Sequence, residues 1–183
     1  MGLRRRWRAF RARFWWSLLL DVLLLVGVLV AVHAWQTRNL PVDRPAPVTV
    51  LPALEGGAPL SAVRPGAAGV VYFFAPWCFY CRSSIDNLDA LVDSGRIDWA
   101  TAVALSYENE DEVRDFVERA GTRLPVLLGT PRTGADWSVS AFPTYYVIDG
   151  EGRIVSRAVG YSTELGLRLR SWWAAREDGG SAR

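Results

Sequence analysis

Val70–Phe74 reads VVYFF, an unbroken apolar and β-prone run that Pro76 ends and the spacing Cys78-x-x-Cys81 follows. A strand with no polar alternation is buried on both faces, which places it in the middle of a covered sheet. After Phe79 the period changes. Ile85, Leu88, Leu91 and Val92 fall on one helical face with Asp86, Asp89 and Asp93 outside, and Gly95 closes the pattern. The spacing therefore predicts one helix from Phe79 to about Gly95, packed on the strand that precedes it.

The same reading continues along the chain. Trp99–Leu105 is a second strand. Asp111–Ala120 is an amphipathic helix with Val113, Phe116, Val117 and Ala120 inward and Gly121 as its C-terminal cap. Leu124–Gly129 reads as a short extended piece, and Ala135–Thr144 as a loop or short helix. Thr144–Asp149 (TYYVID) and Arg153–Gly160 (RIVSRAVG) are strands joined by the turn DGEG. A last helix is expected over Glu164–Ala175. The alternation indicates an α/β fold, a mixed central sheet with helices on both faces. A short hairpin is expected ahead of the first strand.

Charge is distributed unevenly. The 183 residues carry a net charge of +2 and no Lys. Six Arg and no acid lie within Met1–Arg13, whereas from Gln36 onward 15 Arg face 18 Asp and Glu, a net charge of −3. A nucleic-acid surface on the main domain is not indicated. The basic end runs into Phe14–Trp35, an apolar segment that as a helix would extend roughly 33 Å, against a hydrocarbon core of about 30 Å. Trp15, Trp16 and Trp35 mark its two interfaces, and the Arg cluster orients it with the main domain across the membrane. In a bacterium this means a single-pass inner-membrane protein with its C-terminal domain in the periplasm, where disulfide chemistry is permitted. Val32-His33-Ala34 leaves a cleaved signal peptide as the alternative. Asp21 sits inside the span, and His33, the only histidine, lies at its outer end.

Cys78 and Cys81 are the only cysteines. At a helix start this spacing puts both sulfurs on one side, with Cα atoms near the ~5.5 Å that a disulfide prefers. The first sulfur meets unpaired N–H groups that favour its thiolate, and the second lies deeper. One is then a nucleophile and the other a resolver. A static bridge would close a tiny loop and stabilise little. Two thiolates suit Cu(I), so a copper-binding or metal-stress module remains an alternative. Zinc wants four ligands, and this chain supplies no further Cys and no His in the domain. No cofactor or metal is expected beyond a redox-active Cys78–Cys81 disulfide. Pro143, in AFPTYY, directly precedes a strand, where a cis bond would present backbone edges.

FFAPWCFYC after a strand, FPT before the terminal hairpin, and the β/α order together resemble the thioredoxin superfamily. The anchor and Pro-rich linker look like its membrane-tethered TlpA and ResA branch. The ending GYSTELGLRLRSWWA and the anchor with Asp21 look most like the suppressor-of-copper-sensitivity D (ScsD) proteins. The resemblance implies a thioredoxin-like domain over residues 46–176. It would follow a cytoplasmic tail at 1–13, a transmembrane helix at 14–35 and a linker at 36–45, with a flexible tail at 177–183. It implies a thiol:disulfide oxidoreductase in which Cys78 attacks and Cys81 resolves, Trp77 flanks the sulfur, and Pro143 is a cis-proline facing it. Phe142 would offer its main chain to an extended substrate segment, with Thr144 following. The partners implied are periplasmic protein thiols and disulfides and a membrane electron donor of the DsbD or ScsB kind.

Two departures stand out. Many thioredoxins carry a buried acid where this chain has Tyr72. The insert Phe79-Tyr80 matches neither Gly-Pro of thioredoxin nor Pro-His of the strong oxidant DsbA, and it supplies no imidazolium beside the thiolate. Reduction is therefore the expected direction, with oxidation by the same fold as the alternative. Phe79 and Tyr80 offer either an apolar docking surface or packing on neighbouring loops, and Arg82 reads as a solvated helix residue, with stabilisation of the Cys78 thiolate by its charge as the alternative.

Overall fold

A computed structural model describes residues 16, 19–28, 30–32, 34 and 42–160. The chain divides into two compact units, Met1–Arg38 and Asn39–Arg183. In the first, residues 19–28 and 30–32 are helical and exposed. No helix among the described residues is long and apolar enough to cross a membrane. The expected span at 14–35 extends onto residues outside those described. The basic tail at 1–13, the final helix at Glu164–Ala175 and the tail at 177–183 lie wholly outside them.

The second unit is built on a six-stranded mixed sheet. Its strands are β1 (Arg44–Pro45), β4 (Gly69–Phe74), β5 (Trp99–Ala104), β6 (Val126–Leu128), β7 (Thr144–Ile148) and β8 (Arg153–Val159). The spatial order is β1-β8-β7-β4-β5-β6. β4, β5 and β6 run parallel, while β7 and β8 are antiparallel to their neighbours. The separate pair β2 (Val50–Leu51) and β3 (Leu60–Ser61) forms the expected N-terminal hairpin. As its apolar run implies, β4 is buried at every residue. Arg44 and Pro45, expected at the end of the linker, instead add an edge strand opposite Ile154 and Arg153. Pro is tolerated there because an outer edge asks for no donated N–H.

Each face of the sheet has its own core. Val70, Tyr72 and Phe74 point to one face and meet Ile85, Leu88, Leu91, Val113 and Phe116 from two helices, α2 (Asp86–Asp93) and α3 (Glu110–Ala120). Phe74 stacks on Phe116 with centroids 4.5 Å apart. Val71 and Phe73 point to the other face. There the short helix α4 (Pro131–Asp136) ends at Trp137, which packs against Phe73 and Tyr146 and joins Leu51 and Ala62 of the N-terminal region. The Trp137 indole N–H donates to Thr49 Oγ1 at 2.8 Å, and the Tyr146 hydroxyl donates to the Trp137 carbonyl.

Three elements differ from expectation. The helix expected from Phe79 to Gly95 is two helices, α1 (Phe79–Arg82) and α2, broken at Ser83–Ile85. Ser83 and Ser84 donate their hydroxyls back to the carbonyls of Phe79 and Tyr80, and such side-chain bonds compete with helix continuation. Ala135–Thr144, expected as a loop or short helix, holds only the end of a helix that begins earlier, at Pro131, because Thr130 caps it reciprocally with Thr133 and Pro fits its first turn. Asp89, expected outside α2, accepts Thr122 Oγ1 at 2.7 Å and the Arg123 N–H at 3.1 Å, fastening α2 to the segment that enters β6.

Gly69 lies in register with Trp99, and an added Cβ would sit 2.2 Å from the indole ring and 2.6 Å from the Trp99 carbonyl. That indole is pinned by its bond to the Ala67 carbonyl at 2.9 Å. Gly69→Ala is therefore expected to destabilise the domain by about 1–3 kcal/mol, read as a lower urea midpoint with an unchanged denaturant slope.

Candidate active site

The C-terminal end of β4 delivers Pro76, Trp77 and Cys78 to the edge of the sheet. Cys78 caps α1 in an extended conformation, and its Sγ accepts the Cys81 backbone N–H at 3.2 Å. A hydrogen bond of this kind strengthens as the sulfur takes negative charge. Both cysteines are free thiols, Cys78 with 7 % exposure and Cys81 with none. One sulfur is thus at the rim and the other is beneath it, an order the Cys-x-x-Cys spacing on a single turn imposes.

Burial pushes the Cys81 thiol well above its ordinary range. Its hydrogen bond with Cys78 adds to the rise, while the Ala75 backbone and, to a smaller extent, Tyr72 work against it. The Tyr72 hydroxyl donates to the Cys81 carbonyl at 3.0 Å and lies 3.1 Å from Ser84 Oγ. Burial, with Tyr145 and Cys81 nearby, raises Tyr72 far above the usual phenol range, so its proton is firmly held.

The expected docking residues surround this pair. Trp77, Phe79 and Tyr80 are 68 %, 65 % and 62 % exposed, unusual for large rings on a folded domain. The Trp77 indole donates to the Ser106 carbonyl at 3.0 Å and stands edge-on to Phe142 at 5.9 Å. The Arg82 guanidinium lies over the Phe79 ring, 5.7 Å from its centre. The Phe142–Pro143 bond is cis. Pro143 directs its carbonyl to the Gly160 N–H, whereas among the described residues no backbone group engages the N–H or carbonyl of Phe142. Thr144, grouped with the substrate-facing residues, is instead fully buried, and its hydroxyl donates to the Ala141 carbonyl at 2.8 Å. It shapes the proline turn and has no surface to offer a ligand.

Three participants were not picked out from the sequence. Arg119 of α3 joins Arg82 and Phe116 in lining a cavity of about 200 Å³ whose wall includes Cys78. Its signal was its place one helical turn beyond Phe116. Ser106 holds a left-handed φ of 54°, which turns its carbonyl toward Trp77, and a serine gives no warning of that. Ser84 was read only as a helix residue. Among the described residues no group of three or more His, Cys, Asp or Glu side chains lies together as a metal cluster would.

The alkaline behaviour of the reduced chain follows from these burials. A thiol whose value is raised by folding contributes stability that is complete below its unfolded value and lost above it. Unfolding free energy should therefore fall as pH rises past 9.0, the ordinary value for Cys81, and more steeply past 10.0, where Tyr72 and Tyr146 add to the loss. Urea unfolding between pH 7 and 11 checks this, and the disulfide form should lack the first decline.

The pattern of the AhpC/TSA family matches residues 42–157. The chain is 29 % identical over 160 residues to the thiol:disulfide interchange protein HelX of Rhodobacter capsulatus, covering 79 % of this chain and 87 % of that protein. It is 30 % identical to the thiol:disulfide interchange protein DsbE homolog of Paracoccus denitrificans, covering 81 % and 87 %. Among solved structures, a putative thiol:disulfide interchange protein DsbE from Chlorobium tepidum superposes with a TM-score of 0.64 at 22 % identity, over 73 % of this chain and 99 % of that one. That last likeness establishes the thioredoxin-like fold.

Proposed function

The chain belongs to the AhpC/TSA family and is a thioredoxin-like thiol:disulfide oxidoreductase; from that premise we propose a membrane-tethered periplasmic reductase of protein disulfides, working through Cys78 and Cys81. The observation that carries this reading is the pair of free thiols with one sulfur at the rim, hydrogen-bonded by the N–H of the other residue, and the second sulfur buried below. Cys78 thiolate attacks a substrate disulfide, the substrate S–S bond breaks, and one substrate thiolate leaves. Cys81 gives up its proton and attacks the Cys78 sulfur, the mixed disulfide breaks, and the second substrate thiolate leaves and takes up a proton. Two electrons pass from the dithiol to the substrate, and the chain holds a Cys78–Cys81 disulfide as its only redox group.

The main chain of Phe142, engaged by no described backbone group, suits an extended substrate segment laid beside the cis proline, and Trp77, Phe79 and Tyr80 suit its apolar side chains. Reduction is favoured because no imidazolium stands beside Cys78 to hold a thiolate in the reduced form. Phe14–Trp35 would anchor the chain in the inner membrane, with residues 1–13 in the cytoplasm. A membrane electron donor of the DsbD or ScsB kind would return the electrons, as in the ScsD-like proteins that the anchor and ending resemble.

Cys81→Ser should trap substrates as mixed disulfides on Cys78, released by dithiothreitol and absent from the Cys78→Ser, Cys81→Ser double variant. Capture of no protein would overturn the exchange reading. A Cys78–Cys81 potential near −270 mV is the expected result for a reductant, whereas one near −120 mV would reverse the direction. In intact cells, a membrane-impermeant thiol reagent admitted to the periplasm should label Cys78, and the protein should stay with the membrane after alkaline washing.

A further inference from the structure

The Cys81 carbonyl is oversupplied with donors. It accepts the Ser84 N–H at 3.3 Å, the Ile85 N–H at 3.2 Å and the Tyr72 hydroxyl at 3.0 Å. The first two belong to the backbone turn between α1 and α2 and cannot leave it. The third sits on a rotatable hydroxyl at the tip of a fully buried ring, held in β4 between β5 and β7. Its proton can swing from the carbonyl without leaving that carbonyl unsatisfied; the Ser84 hydroxyl, 3.4 Å from the same carbonyl, is already turned to the Tyr80 carbonyl at 2.8 Å. Ser84 Oγ lies 3.1 Å from the phenol oxygen.

We propose that Tyr72 is a positioning residue for the resolving step, fixing Cys81 through its carbonyl and turning its hydroxyl proton to the Cys81 sulfur as that sulfur ionises. This deepens the exchange mechanism above and rests on it. A charged sulfur is a stronger acceptor than a carbonyl that already has two partners. The phenol keeps its own proton throughout, because burial opposes phenolate, so Tyr72 acts as a donor and not as a base. Tyr72 already opposes the effect of burial on the Cys81 thiol.

The surroundings leave this task to few other groups. From the preceding turn Cys78 and the Ala75 backbone act on Cys81, the backbone favouring its thiolate, and from β7 Tyr145 stands behind Tyr72, with ring centres 4.9 Å apart. α2 packs the apolar Ile85 and Leu88 into the same core. Arg82 of α1 and Arg119 of α3 line the cavity on the Cys78 side, toward solvent. Tyr72 and Ser84 are therefore the hydroxyls on the buried side of the pair, and that of Ser84 is committed to the Tyr80 carbonyl. The electron count of the exchange is unchanged: Tyr72 lowers the cost of the Cys81 thiolate that attacks Cys78, and the proton lost from Cys81 still ends on the departing thiolate or in water.

The test uses the reduced full chain and dithiobis-nitrobenzoate, an aromatic disulfide whose thiolate is coloured when released. Attack by Cys78 releases the first thiolate, and attack by Cys81 on the mixed disulfide releases the second, so the two steps appear as two phases. Tyr72→Phe is expected to leave the first phase within twofold. It should slow the second at neutral pH by about three- to tenfold and move its inflection to higher pH. A ring-fluorinated tyrosine at position 72, a stronger donor of the same shape, should move that inflection to lower pH. It decides the matter if the Phe variant fails to fold. An unmoved second-phase inflection in both variants, or slowing of both phases in step, would overturn the proposal. A native chain that releases only one thiolate would instead overturn the exchange reading on which it rests.

Discussion

The pairing of Phe73 with Thr144 holds this site together. It sets the last turn of the central strand beside the first residue of the terminal hairpin. Two short segments far apart in sequence, one with the cysteines and the other with the cis proline, then face each other across a single strand spacing. Everything chemical is arranged around that seam. Trp77 reaches over it to Phe142, and the exposed rings of Phe79 and Tyr80 flank it. Because β4 is paired on both sides and covered on both faces, the seam cannot shift without exposing its core.

The polarity across the strand is equally systematic. Alternation sends Tyr72 and Phe74 toward the helices that carry the cysteines, and Phe73 toward Trp137. One face thus serves the chemistry. The other anchors the sheet through Trp137, Thr49 and Tyr146, which lie in three separate stretches of the chain. Among the described residues, the buried side of the thiol pair is lined by hydroxyl and apolar groups and its open side by two guanidinium groups.

The sequence made the central strand, the α3 helix and the terminal hairpin legible, because each carries its own period or turn residues. It also exposed both cysteines and Pro143. What it hid depends on contacts made only after folding. The break after Arg82 arises from serine hydroxyls that bend back on their own turn, in a stretch whose apolar spacing still reads as one helix. β6 was legible only as an extended piece, since three residues carry no period and its place at the sheet edge comes from pairing with β5. Tyr72 was visible as a departure where a carboxylate is common, but its partners were not, because nothing in the local sequence says which carbonyl a buried phenol will meet. At 14–35 hydropathy was the only signal, and the described part of that segment is helical.

Phe79 and Tyr80 stand outside both cores, between two cysteines whose backbone positions are set by other parts of the molecule. Exchanges at such exposed positions typically alter folding free energy by no more than about 0.5 kcal/mol. The dipeptide can therefore change at little cost to the scaffold, and the surface offered to clients is set apart from the requirement to fold.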